Sequence, residues 1–299
     1  MKIKTRRYHI YYWARIALFL IGVVPRKIAL AIADFLGRIA FKMLNKHRNK
    51  AMENLSEVLH CGEDRSAKIA RGVFINMAKN GIDWIRSLSL KWGFVNKIVT
   101  EVSGLDRLDK ALESGNGAIL MASHFGNWEL MSIYLTLRGY NGAIIARRIY
   151  FHKYDKILNQ MRTRFGVKVI YRDESPKKIL NVLKNGQILG MLADQDVDSV
   201  SGVFVDFFNR PAYTPSAPVK IAMKTGALLV PAFMIRKKDD TYKLIIEEPI
   251  DAGSSDGSAE EIIKYTQAWT AVLEKYVKEY PEQWVWIHDR WKTKKVVSR

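Results

Sequence analysis

The most constraining feature of this chain is an abrupt change of character inside residues 117–130, Gly-Ala-Ile-Leu-Met-Ala-Ser-His-Phe-Gly-Asn-Trp-Glu-Leu. Residues 118–122 form a continuous apolar run with the length of a strand buried on both faces. The run stops at Ser123 and His124, turns at Gly126, and reaches Asn127, a residue type suited to an N-cap. A helix is predicted over 128–138, with Gly139 as its C′ stop. Such a unit demands an α/β fold. It also puts His124 at the carboxyl end of a strand, where open α/β sheets bind their ligands.

The rest of the chain agrees with that class. Strands are predicted at 98–102, 143–146, 167–171 and 187–193, interleaved with helices over 105–114, 154–165 and 176–185. Ser175 and Pro176 give the third of these helices a cap and a first-turn proline. A helix opening at Thr214 and Pro215 closes at Gly226, 228–235 and 243–247 pair as a hairpin, and a long helix covers 259–280. Upstream, Ile28, Ile32, Phe35, Leu36, Ile39 and Met43 recur at helical spacing. Helices over 66–79 and 82–90 follow, separated at Gly81. The expectation is one α/β domain over 47–299, with a central, mainly parallel or mixed sheet flanked by helices. A helical membrane-associating region over 1–46 precedes it.

Spacing within 124–129 carries chemistry. On a continuous helix, positions five apart point roughly 140° away from each other. With His124 on the turn and Glu129 in the first helical turn, the two can meet. A carboxylate on one imidazole nitrogen fixes the tautomer and stabilises the imidazolium formed when the other nitrogen takes a proton. Free amides at the same helix start suit a developing oxyanion. A core histidine with a helix-dipole glutamate satisfies the same spacing.

Charge narrows the partners. The 299 residues hold 48 Lys+Arg against 30 Asp+Glu, a formal net charge of +18. This favours phospholipid headgroups, phosphorylated lipids, acidic proteins or nucleic acid. The one cysteine, Cys61, excludes an internal disulfide framework and a cysteine metal cluster. Residues 8–24 are apolar and aromatic between cations, and short for a spanning helix. Tyr11, Tyr12 and Trp13 suit an interfacial anchor resting on an anionic membrane surface. The aromatic residues are not interleaved with cations as in RNA-binding modules, so nucleic acid is not expected as a partner.

Other candidates lie beyond strand ends. Arg147 and Arg148 follow one strand, and Arg162 and Arg164 close the next helix; arginines so grouped hold phosphate or a developing anion. Asp194 and Asp196 follow another strand, without the partners of a metal site. With Asn127, these form the expected substrate-binding set. Phe204, Phe207 and Phe208 lie in a stretch too apolar for an ordinary loop, which either walls an acyl pocket or packs on the core.

Taken together, the block from His124 to Glu129 resembles the HxxxxE signature of glycerolipid-type acyltransferases, in the HxGNWE form of the bacterial lipid A late (secondary) acyltransferases. Asp194-Gln195-Asp196, the Phe-Val-Asp-Phe-Phe block with Pro211 and Thr214-Pro215, and the tail over 283–292 support the resemblance in order. It implies transfer of a fatty acyl chain from acyl carrier protein to a hydroxyl of a lipid A precursor, at the cytoplasmic face of the inner membrane. By that likeness His124 is the general base and Glu129 orients it. The hydroxyl attacks the thioester directly, with no cofactor and no acyl-enzyme; Ser123, next to His124 in a strand-like segment, points away. The family arginine and downstream acid map to Arg162 or Arg164 and to Asp194 or Asp196. Two alternatives share parts of this pattern. One is a related enzyme acting on a mannosylated phosphoinositide or ornithine-type lipid, with acyl-CoA as a possible donor. The other is a non-catalytic basic protein bound to membrane or nucleic acid.

Overall fold

The computed structural model describes residues 20–89, 92–197, 199–253 and 257–295. Three helices come first: α1 (Arg26–Met43), α2 (Asn45–Leu59) and α3 (Glu63–Ser89). A short α4 (Trp92–Ile98) then leads into β1 (Val99–Ser103) and α5 (Leu105–Glu113). The catalytic-looking unit is β2 (Ala118–Ala122) followed by α6 (Trp128–Leu137). Next come β3 (Gly142–Ala146), α7 (His152–Thr163), β4 (Lys168–Tyr171), α8 (Pro176–Lys184) and β5 (Ile188–Leu192). The chain continues through β6 (Gly202–Asp206), β7 (Pro211–Pro215), α9 (Ala217–Thr225), β8 (Leu228–Arg236), β9 (Tyr242–Ile246) and α10 (Ala259–Glu279).

Seven strands make one sheet in the order β1-β9-β8-β2-β5-β3-β4. All neighbours are parallel except β8 and β9, which form the expected antiparallel hairpin. β2 lies inside the sheet between β5 and β8, and all five of its residues are buried. Its side chains alternate between two cores: Ile119 and Met121 join the layer that includes α10, while Ala118, Leu120 and Ala122 join the layer under α6. The fold is a single α/β domain with a mostly parallel central sheet flanked by helices.

Two local expectations are revised. Residues 63–89 form one helix that runs through Gly81. A mid-helix glycine costs only about 1 kcal/mol relative to alanine, less than the packing of α3 against α1 and α2 contributes. Thr214 and Pro215 do not open a helix, because they pair with Val203 and Gly202 across a two-stranded hairpin, and α9 begins at Ala217. The helix expected from the spacing at 28–43 is present as α1, whose buried face is narrow and made mainly of small residues. Ala29, Leu30, Ala33 and Gly37 are buried, and a Cβ on Gly37 would meet the Ile75 backbone of α3 at 2.7 Å. Its bulky face, Ile28, Ile32, Phe35, Leu36 and Met43, is exposed. Most of the predicted interfacial segment 8–24 lies outside the described residues. Among the described residues, no helix is long and apolar enough to cross a membrane.

Candidate active site

The register of the parallel sheet builds the site. β2 pairs with β5 from Ala118 opposite Ile188 to Ala122 opposite Leu192. Continued two residues beyond both strands, that offset sets His124 beside Asp194. Asp194 is 1% exposed and makes two contacts with the histidine: the His124 amide donates to Oδ2 at 2.9 Å, and Nδ1 lies 2.8 Å from Oδ1. The Trp284 indole N–H donates to Oδ2 at 2.9 Å.

This pairing sets the charge balance. Burial works against the imidazolium, but the charge and hydrogen bond of Asp194, with the Glu129 charge behind them, outweigh it and raise the His124 pKa above its ordinary value. Asp194 is held below the usual carboxylate range: burial opposes this, and the His124 charge and the donors from His124 and Trp284 overcome it. Since Nδ1 is engaged, Nε2 is the nitrogen available to a substrate. The ring is braced by an edge contact with Trp128, centroids 5.2 Å apart.

The turn carrying His124 is fixed from several sides. Gly126 has φ +56°, and a Cβ there would sit 2.0 Å from the Met234 carbonyl, so only glycine fits. Its amide donates to the Gln283 carbonyl at 2.9 Å, and the Asn127 amide donates to that of Met234 at 2.9 Å. The Asn127 side chain accepts from the Leu130 amide at 3.1 Å, as an N-cap does, and donates to the Tyr242 hydroxyl at 3.0 Å. Tyr242 in turn donates to the fully buried Asp83, which also pairs with Arg26 and Arg236. The site therefore rests on a buried ionic network.

A cavity of about 380 Å3 opens beside His124. Its inner walls are apolar, with Leu120, Met131, Ile144, Met191 and Leu158 among them; Arg147, Arg162, Arg172, Glu129 and Gln195 supply the polar lining.

Several expectations about individual residues change. Glu129 is not hydrogen-bonded to the His124 ring and reaches it only as a charge. It forms an ion pair with Arg162, with Nε 3.1 Å from both carboxylate oxygens and a closer contact from Nη2 to Oε1. The partner of the ring is Asp194, because the sheet register delivers that carboxylate to Nδ1. Within the two pairs left open by the sequence, Arg162 lines the cavity, and Arg164 is an exposed C-cap outside it. Asp196 is buried away from the cavity, accepting from the amide and hydroxyl of Thr293 at 2.9 Å each, where it ties down the tail. Asn127 is a buried cap and does not face the cavity. Arg147 lines the rim; Arg148 instead pairs with Asp173 and Glu174 and covers the Tyr171 ring.

The phenylalanines also lie elsewhere. Phe207 and Phe208 are buried among Trp284, Trp286 and Trp291, and Phe204 packs on Tyr213 across the β6–β7 hairpin. The cavity beside His124 is on the other face of the sheet, where Leu120 and Ala122 line it. Ser123 is 2% exposed with an unpartnered hydroxyl and does not line the cavity. Arg172 also lines it, with the same strand-end signal as Arg147, as do Trp128 and Gln195, which stand in the sequence blocks without a role of their own. Trp284 reaches Asp194 from the tail, a contact no local pattern announces. Among the described residues, no group of three or more His, Cys, Asp or Glu side chains could hold a metal ion.

The chain is similar to several known proteins. The lipid A biosynthesis palmitoleoyltransferase of Escherichia coli (strain K12) is 24% identical over 307 residues, covering 97% of this chain and 93% of that protein. A lipid A biosynthesis acyltransferase of Haemophilus influenzae is 27% identical over 281 residues, covering 93% and 86%. A phosphatidylinositol mannoside acyltransferase of Mycobacterium tuberculosis is 28% identical over 194 residues; that match covers 64% of this chain, and the chain spans 59% of that relative's length. The family described as bacterial lipid A biosynthesis acyltransferase matches residues 1–293, and the chain belongs to that family.

Proposed function

We propose that this protein transfers a fatty acyl group from the thioester of acyl carrier protein to a hydroxyl of an acylated, phosphorylated lipid A precursor. The observation that carries the reading is the pairing of His124 Nδ1 with buried Asp194 at the mouth of an apolar cavity. His124 Nε2 takes the proton of the acceptor hydroxyl as its oxygen attacks the thioester carbonyl. The carbon–sulfur bond breaks, the new ester forms, and the imidazolium returns its proton to the leaving thiolate. No acyl-enzyme forms, and the thioester itself supplies the activated acyl group. Asp194 orients the ring and balances its charge, the role that the resemblance gives to Glu129. The Glu129–Arg162 pair, with Arg147 and Arg172 at the rim, binds the polar parts of donor and acceptor.

The reading places the protein at the cytoplasmic face of the inner membrane. The exposed Ile28, Ile32, Phe35, Leu36 and Met43 of α1, with Lys42 in its last turn, support contact with an anionic bilayer. The strong positive charge suits an acidic carrier protein met by electrostatic steering.

A second acceptor is favoured by one observation, the similarity to the mycobacterial enzyme named for phosphatidylinositol mannoside. The test presents purified protein with a lipid A precursor or a phosphatidylinositol mannoside, each with acyl carrier protein and coenzyme A thioesters. Mass spectrometry reads the gain of one acyl chain. Gain on the lipid A precursor from the carrier protein, lost in His124→Ala, is the expected result. Gain on the mannoside alone replaces the acceptor, and transfer that survives His124→Ala overturns the mechanism.

A further inference from the structure

Next to the main cavity lies a smaller, half-open side pocket of about 40 Å3, bounded by Thr136, Tyr140, Gly142 and Val167 among others. The two spaces share four lining residues: Leu120, Ser132, Ile144 and Gly190. Three of these form a single row across the sheet, with Leu120 on β2 paired to Gly190 on β5, and Gly190 paired to Ile144 on β3. Ser132 comes from α6 on the side facing this row. Two bulky side chains thus flank a central notch, and the notch is a glycine.

Glycine inside a buried strand weakens it and marks a close approach by backbone or ligand. At Gly142 the sheet itself demands glycine, since a Cβ would lie 2.3 Å from the Ile188 carbonyl oxygen. At Gly190 it does not. A Cβ there would meet the Ile144 Cγ2 methyl at 3.1 Å, and the nearest backbone atom, the Ala143 carbonyl oxygen, lies at 3.7 Å. A side-chain methyl can yield a few tenths of an ångström; what the missing side chain preserves is the passage between the two spaces.

We infer that Gly190 is a specificity-determining residue for acyl-chain length, the notch through which the end of the chain passes into the side pocket. The inference rests on the acyl-transfer reading above. His124, Ala122 and Leu120 succeed one another along the cavity wall. A thioester at His124 therefore directs its tail back along β2, and the four residues to Leu120 span about 13 Å at strand rise. Filling the notch removes burial from the terminal carbons and leaves those nearer the thioester in place.

The experiment compares the wild-type enzyme with Gly190→Ala and Gly190→Val on acyl carrier protein thioesters ranging in even steps from short to long chains. Thermal melts verify that each variant is folded. A third variant, Thr136→Leu, fills the side pocket from α6 and leaves the Leu120–Gly190–Ile144 row intact. The expected result is a fall in the long-to-short ratio of kcat/KM by roughly four-fold for each methylene denied burial. The fall is larger for valine than for alanine, and Thr136→Leu shifts the ratio in the same direction. Folded variants that lower every chain length by one common factor would make Gly190 a packing residue and overturn the inference. Absence of transfer by the wild-type enzyme from any donor would overturn the underlying reading before any variant is compared.

Discussion

Asp194→Asn is the sharpest perturbation the site offers, because its geometry dictates which way the new amide must face. Oδ2 of Asp194 receives two donors, the His124 amide and the Trp284 indole, each at 2.9 Å. In the asparagine variant the amide oxygen has to keep that place, which forces the amide nitrogen toward His124 Nδ1. A donor at Nδ1 moves the ring proton to Nε2, the nitrogen meant to accept a proton from the hydroxyl. The imidazolium also loses its buried counter-charge, and an opposite charge at this range is worth about 1–3 pKa units, or roughly ten- to a thousand-fold in the stability of the charged ring. With the tautomer penalty added, kcat/KM should fall roughly a thousand- to ten-thousand-fold, the scale seen when a carboxylate partner of a catalytic histidine becomes an amide. Acyl gain on the acceptor, followed by mass spectrometry at matched folded-protein concentration, measures it. A folded Asp194→Asn enzyme within ten-fold of wild type would refute the assignment of Asp194 as the partner of the ring.

The remaining expectations follow from neighbouring contacts. Since Asp194 raises the His124 pKa, the acid limb of kcat/KM should lie above the ordinary histidine value of about 6.5 and move down in Asp194→Asn, as a pH–rate profile will report. In urea melts, stabilisation from the raised His124 pKa is complete below its unfolded value and disappears as pH rises through its folded value; that from the depressed Asp194 pKa is present above its unfolded value of about 3.9 and disappears as pH falls through its folded value. Glu129→Gln breaks the ion pair with Arg162 and should lower kcat/KM roughly ten- to one-hundred-fold, less than Asp194→Asn, with a smaller shift of the acid limb. Phe207→Ala empties a fully buried site between Trp284 and Trp291 and should cost about 3–5 kcal/mol of stability by denaturant melts, with no change in the chain-length profile. Phe35→Ser with Leu36→Ser removes the exposed ridge of α1 and should lower binding to anionic vesicles by about ten-fold or more in flotation; unchanged binding would remove α1 from the membrane contact.

Much of this architecture is written locally. The unbroken apolar run at 118–122 has to be an interior strand, and Gly126 with Asn127 has to be a turn and a cap, because backbone sterics and unsatisfied amides admit few other residues there. The alternation of strands and helices and the β8–β9 hairpin follow from periodicity and turn residues in the same way. What periodicity lacks is strand order. From spacing alone the carboxylate offered to His124 is Glu129, five residues away, and Asp194 and Asp196, far along the chain, stand only as substrate-binding candidates. The choice depends on β5 lying beside β2, and on the register that sets residue 194 against residue 124. Once Asp194 occupies Nδ1, Glu129 is left to Arg162, brought over by the packing of α7. The same limit applies to Phe207 and Phe208, whose apolar character is equally at home in a pocket wall and a core; only the tail folding back with Trp284, Trp286 and Trp291 puts them in the core. Residue type and spacing determine which chemistry is possible, because they act through the nearest few bonds. Which of the possible partners meet is decided by contacts between segments many residues apart, and those exist only once the sheet has closed.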